Sequence, residues 1–171
     1  KENGQKQPGD TPDYLVHTHL SPGFHRLFQD HSFVLRRQGK KEQNRPAKPL
    51  EFRTTSGFRV LVGRNNRQND KLTLKDADHR DIWLHTQKIH GSHVILCTGG
   101  AEVGDDTILE AAKLAAWFSQ AREGANVPVD YTPVKNVKKP AGARPGMVIY
   151  STCRTVNVAP EEGLVKKLQL S

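Results

Sequence analysis

The sequence predicts an α+β fold, a mainly antiparallel sheet of short strands packed by one long helix and short helices. Two observations carry that expectation. Apolar runs of a few residues are separated by turn sequences, as in hairpins, and a single segment, about Asp106–Arg122, carries sustained helical periodicity. Hairpins with one long helix favour α+β over a parallel βαβ arrangement.

The folded unit is expected over residues 49–171. Residues 1–49 hold five of the ten prolines (Pro8, Pro12, Pro22, Pro46 and, at the junction, Pro49) and four of the eight histidines, and their best apolar stretch is only Phe33-Val34-Leu35. From Arg36 to Lys48, six basic residues stand against the single acid Glu42. Such a run repels itself and stays solvated, so 1–48 reads as a flexible basic linker or tail.

Within the folded unit, Leu50–Arg53 and Phe58–Val62 flank the turn sequence Thr54-Thr55-Ser56-Gly57 and read as a hairpin. Gly63 ends the second strand, and Asn65-Asn66 cap a short helix running to about Lys75. Asp81–His85 alternates apolar and polar residues, and His93–Cys97 follows a Gly91-Ser92 turn; both read as strands. In the long helix, Thr107 and Glu110 fit a capping box, Ile108, Ala111, Ala112, Ala115, Trp117, Phe118 and Ala121 form the apolar face, and Gly124 is the stop. Val127–Val134, Met147–Tyr150 and Thr155–Val158 read as strands. A last helix opens with Pro160 in its first position and closes on Lys166-Lys167.

Charge and composition narrow the function. The chain has 171 residues, 26 Lys and Arg against 18 Asp and Glu, and a net charge of +8. Its pI is near 9.7 and its mean hydropathy is −0.66. No apolar run approaches the ~20 residues of a membrane span, and Lys1–Thr11 lacks the apolar stretch of a signal peptide. Cys97 and Cys153 form no disulfide framework and show no metal-ligand spacing. The expectation is a soluble, cytoplasmic protein with an anionic polymer as partner and no membrane association.

Three polar constellations carry candidate chemistry. Gly63-Arg64-Asn65-Asn66-Arg67-Gln68-Asn69-Asp70 has no apolar side chain, and its arginine forks match phosphate oxygens; the bland alternative is a turn before a capped helix. One glycine is far from a Walker loop, so nucleotide hydrolysis is not expected. The second group is Asp81-x-Trp83-x-His85 with Ser92-His93, where strand spacing puts Asp81, Trp83 and His85 on one face. It suits base stacking, with Asp81 orienting His85, or equally a buried polar framework beside a core tryptophan. Metal binding by His85, His90 and His93 lacks helical ligand spacing, and a Ser92–His93 nucleophile pair would face opposite ways. The third is Lys135, Lys138, Lys139 and Arg144 between two prolines, preceded by Tyr131. It suits a phosphate backbone, or is simply a solvated loop.

The runs Val62-Gly63-Arg64-Asn65-Asn66-x-Gln68-Asn69-Asp70-x-Leu72-Thr73, Asp81-Ile82-Trp83-x-His85, Gly91-Ser92-His93-Val94, Val127–Thr132 and Lys138–Val148 together resemble the NFACT-R domain over about residues 50–170. The likeness is to bacterial ribosome quality control factors of the RqcH type, long called fibronectin- or fibrinogen-binding proteins. It implies RNA binding without catalysis, cofactor or metal. It further implies binding to tRNA and the stalled large ribosomal subunit in support of C-terminal alanine tailing. The family's NFACT-N domain, helix-hairpin-helix and coiled coil are not in this sequence. His90 stands where the family usually has proline, which is expected to loosen that turn. The residues expected at the RNA are Arg64, Asn65, Asn66, Arg67, Asn69, Asp81, Trp83, His85, Ser92, His93, Tyr131, Lys135, Lys138 and Lys139. The competing readings are a surface adhesin for fibronectin or fibrinogen and a histidine-based metal hydrolase.

Overall fold

The computed structural model describes residues 47–170, so the linker expected over 1–48 lies, but for its last two residues, outside them. A six-stranded antiparallel sheet forms the middle layer, in the order β1-β2-β4-β3-β5-β8. Its strands are β1 (Leu50–Arg53), β2 (Arg59–Val62), β3 (Ile82–Thr86), β4 (Val94–Cys97), β5 (Val127–Pro133) and β8 (Arg154–Val158). Two short strands, β6 (Val137–Lys138) and β7 (Ile149–Tyr150), pair separately. The helices are α1 (Asn66–Lys71), α2 (Asp105–Trp117) and α3 (Glu162–Leu168). The α+β expectation, short antiparallel strands with one long helix, describes the molecule.

The antiparallel order dictates where the helices go. β2 and β3 both pair antiparallel with β4, so they run the same way and their connection must cross a face of the sheet. β4 and β5 flank β3 in the same manner. The two crossovers pack on opposite faces. α2 covers the face formed by Val60, Val62, Leu84, Val94, Leu96, Val127 and Val129, with Val165 and Leu168 of α3 beside it. On the other face, Leu72 from the α1 crossover and Val137, Val148 and Tyr150 from the β6–β7 unit pack on Trp83 and Ile95. Strand alternation sorts the residues: Leu84 points to one core, and Trp83 to the other.

Several elements differ in their ends from the sequence expectation. α2 is capped at Gly104, not Thr107. Thr107 and Glu110 reach instead to the β1–β2 turn: Thr55 donates from its amide (2.8 Å) and hydroxyl (2.6 Å) to the Glu110 carboxylate, and Ser56 Oγ lies 2.6 Å from Thr107 Oγ1. α2 stops at Trp117 because the following residues pair with the β3–β4 connection: the Phe118 carbonyl accepts from Ser92 N, and the His90 carbonyl accepts from Gln120 N. α3 begins at Glu162 with Glu161 as its cap, so Pro160 precedes the helix rather than opening it. The strand expected from Met147 is reduced to Ile149–Tyr150 and belongs to the small sheet.

Candidate nucleic-acid interface

The polar run after β2 builds a capped helix. Asn65 is extended (φ −159°) and its side chain accepts from Gln68 N at 2.9 Å, as an N-cap does. Gln68 returns the contact one residue earlier, accepting from Arg64 N at 2.7 Å, while its amide nitrogen donates to the Ala47 carbonyl at 2.5 Å. Arg64 Nε donates to the Lys48 carbonyl at 2.8 Å, fastening the entering chain to this corner. Beyond Lys71 the helix widens into a π turn, Leu72–Asp76.

His93 holds this helix on the sheet. Its carbonyl accepts from Gly63 N (3.0 Å), its amide donates to Asn69 Oδ1 (3.2 Å), and its Nδ1 lies 2.8 Å from Thr73 Oγ1. Gly63 is required by the same packing, since a Cβ there would fall 1.9 Å from Asn69 Oδ1. Trp83, His85 and His93 are each 0% exposed. The Trp83 and His85 rings stack at 5.7 Å with planes 5° apart, and His93 meets both edge-on. Burial lowers the His85 pKa to about 4 and takes His93 well below its ordinary value, so both are neutral at pH 7. The buried Asp130 carboxylate, opposite His85 in the register, accepts from Tyr150 Oη and Thr155 Oγ1, each at 2.6 Å.

This geometry corrects part of the expected site. A base cannot stack on rings that expose no surface, so Trp83, His85 and His93 are framework rather than stacking groups. Asn69 and Ser92 are buried as well and hold backbone in place. Asp81 does not orient His85. It accepts from Asp78 N and Gly99 N and closes the start of β3, whereas His85 Nδ1 donates to the Thr86 carbonyl at 2.7 Å. Tyr131 is half-buried on the α2 side of the sheet, away from the basic loop that follows it. The turn at His90 is not loose: the bond to Gln120 and a bridge between Gly91 and Ser119 pin it. Among the described residues, no group of three His, Cys, Asp or Glu side chains is placed to hold a metal ion.

The exposed basic residues lie on the α1 crossover and on the segments around β6 and β7, the elements that pack on the Trp83 face of the sheet. Arg64, Asn65 and Arg67 are exposed on the α1 corner, with Asn66 half-buried between them. Lys135 follows β5 in a 3-10 turn, Lys138 lies on β6, and both are exposed. Arg67, Lys75, Lys135, Lys138 and Arg144 are all exposed and have no ion-pair partner among the described residues. Lys139 differs, because its ammonium is 2.8 Å from Asp70 Oδ2 and 2.8 Å from the Arg144 carbonyl. Lys71 and Lys75 are absent from the residues expected at the RNA; the recurrence Arg67, Lys71, Lys75 at four-residue intervals is the sequence signal of one basic helical stripe. Asp70, inside the polar run, is absent from them too.

The sequence profile of the NFACT protein RNA binding domain matches residues 48–151. The chain belongs to this family. Over 136 residues, 78% of the chain, the NFACT domain described here is 48% identical to "Rqc2 homolog RqcH" of Bacillus subtilis, and it is 38% identical over 137 residues to the protein of that name in Streptococcus suis. It spans about a quarter of those relatives, 23% and 25% of their lengths. It also matches the solved C-terminal part of the fibronectin/fibrinogen-binding protein from Streptococcus suis, with a TM-score of 0.72 and 37% identity over 80% of this chain and 55% of that one. A more distant relative is Coiled-coil domain-containing protein 25 of Bos taurus, 28% identical over 119 residues, 67% of this chain and 57% of that protein.

Proposed function

We propose that this NFACT domain is the non-catalytic RNA-binding module of a cytoplasmic ribosome quality control factor. It binds tRNA, the stalled large ribosomal subunit or both, in support of alanine tailing of nascent chains. The observation that carries this reading is the separation of charge by layer. The unpaired cations Arg67, Lys75, Lys135, Lys138 and Arg144 belong to the α1 and β6–β7 layer. On the other side α2 opens with Asp105 and Asp106, and the cations are largely matched: Lys113 pairs with Glu161, Arg122 with Glu123 and Lys166 with Glu162, leaving Lys167 exposed without an ion pair among the described residues. Lysine and arginine clustered on one face are what a phosphate backbone requires. The family description and the names of the relatives point the same way.

The test is binding of the chain to folded tRNA and to duplex DNA of similar length across a salt series. Preference for tRNA that persists at physiological salt supports a shaped RNA site, and loss of at least roughly tenfold in Arg64→Ala/Arg67→Ala places it at the α1 corner. Equal, steeply salt-dependent binding to both nucleic acids would reduce the claim to a basic surface. The likeness to the fibronectin/fibrinogen-binding protein of Streptococcus suis favours a second reading, binding to fibronectin or fibrinogen. Immobilised fibronectin and tRNA compared under one buffer separate the two.

A further inference from the structure

Asp70 stands out in the basic layer, because it is an acid placed where the proposed partner is an acid. Its side chain is 20% exposed and its two oxygens are committed to different groups: Oδ2 to Lys139 Nζ at 2.8 Å and Oδ1 to Gly146 N at 3.0 Å. Lys139 and Gly146 are the two ends of one loop. Inside it, Ala143 N donates to the Pro140 carbonyl and Lys139 Nζ to the Arg144 carbonyl, and just past its end Met147 N donates to the same Arg144 carbonyl. Gly142 and Gly146 have φ of +74° and +84°, conformations that L side chains rarely adopt. One carboxylate on the crossover helix thus clamps both ends of a loop that lies 69 and 76 residues further along the chain.

We propose that the RNA-binding surface is composite and that Asp70 is its positioning residue. The carboxylate joins the crossover that carries Arg67 on α1 and Lys75 on the π turn to the β6–β7 connection, which leaves β6 after Lys138 and carries Arg144, so phosphates meet both segments in one fixed arrangement. Lys139 acts through Asp70 rather than on the RNA. This inference rests on the RNA-binding reading above and adds to it a residue whose charge has the wrong sign for a direct contact.

That sign makes the proposal testable. Asp70→Asn raises the net charge by one unit, so a surface that binds through charge alone would bind RNA more tightly after the substitution. The composite surface binds less tightly, by roughly fivefold or more, with a shallower salt slope because phosphate contacts are lost from the loop. A cycle with Lys139→Gln completes the test: the double variant binds no worse than Asp70→Asn alone if Lys139 acts through Asp70, and worse if Lys139 contacts phosphate itself. Hydrogen exchange at the Gly146 amide, measured without RNA, accelerates in Asp70→Asn while exchange in β3 and β4 stays slow. Failure of the wild-type chain to bind RNA would remove the reading on which this rests. Unchanged or tighter RNA binding by Asp70→Asn, or unchanged exchange at Gly146, would overturn the proposal itself.

Discussion

Gly63 and Asn69 lock together so closely that neither tolerates change alone. Adding one methyl group in Gly63→Ala drives Cβ onto Asn69 Oδ1, and the amide must leave the His93 N–H it accepts from. A loss of about 2–4 kcal/mol in unfolding free energy is expected from the overpacking and the orphaned amide. Truncating the partner, in Gly63→Ala/Asn69→Ala, relieves the clash and costs less than the two single changes added together; denaturant unfolding measures it. The buried histidines set a pH dependence. Their folded pKa values lie below the ordinary value near 6.5, to about 4 for His85, so the unfolded chain takes up protons more readily than the folded one. Their contribution is intact above pH ~6.5 and is lost as pH falls towards 4. A fall on the order of a few kcal/mol between pH 7 and pH 5 is expected in urea unfolding; a flat profile over that range would contradict neutral buried rings. At this scale the sequence is half legible. Spacing puts Trp83 and His85 on one strand face, where they do stack, but period-two spacing cannot say whether the face is covered. It is covered by residues distant in the chain, such as Val137 and Tyr150.

At the scale of elements, local signals succeed where the partner is local. Asn65 caps α1 as its type and place imply, and Asn65→Ala is expected to cost about 1 kcal/mol and to raise hydrogen exchange at the Gln68 amide. The helix it stabilises carries Arg67, so RNA affinity should fall with it although no charge is removed. The same logic fails for α2. Thr107 and Glu110 have the spacing of a capping box, yet both side chains are taken by the β1–β2 turn, 51 and 55 residues earlier. The end of α2 departs from expectation for the same reason, because strand-like pairing with Gly91 and Ser92 competes with further helix after Trp117. A tertiary partner outweighs a weak local preference, and sequence spacing does not name that partner. Glu110→Ala should therefore loosen the β1–β2 turn rather than fray α2. Faster exchange at Thr55 N, with the α2 amides unaffected, is the expected signature.

Across the whole molecule, the order of strands explains why charge is sorted by face. Two crossovers on opposite sides of one sheet give one layer built on alanine-rich α2 and another built on a short polar helix and a glycine-rich loop. The sequence shows the basic clusters at 64–67 and 135–144 but not that they share a layer, since the contact that joins them, Asp70 with Lys139, spans 69 residues. The central claim, that this layer and not general basicity binds RNA, is tested by removing two positive charges from either side. Arg67→Ala/Lys138→Ala takes them from the α1 and β6 layer, and Lys166→Ala/Lys167→Ala takes them from α3 on the other. With tRNA and a salt series, the first variant is predicted to lose at least roughly tenfold in affinity and about 1.5 from the slope of log affinity against log salt, while the second stays within about twofold of the parent. Equal losses from the two variants would contradict the account.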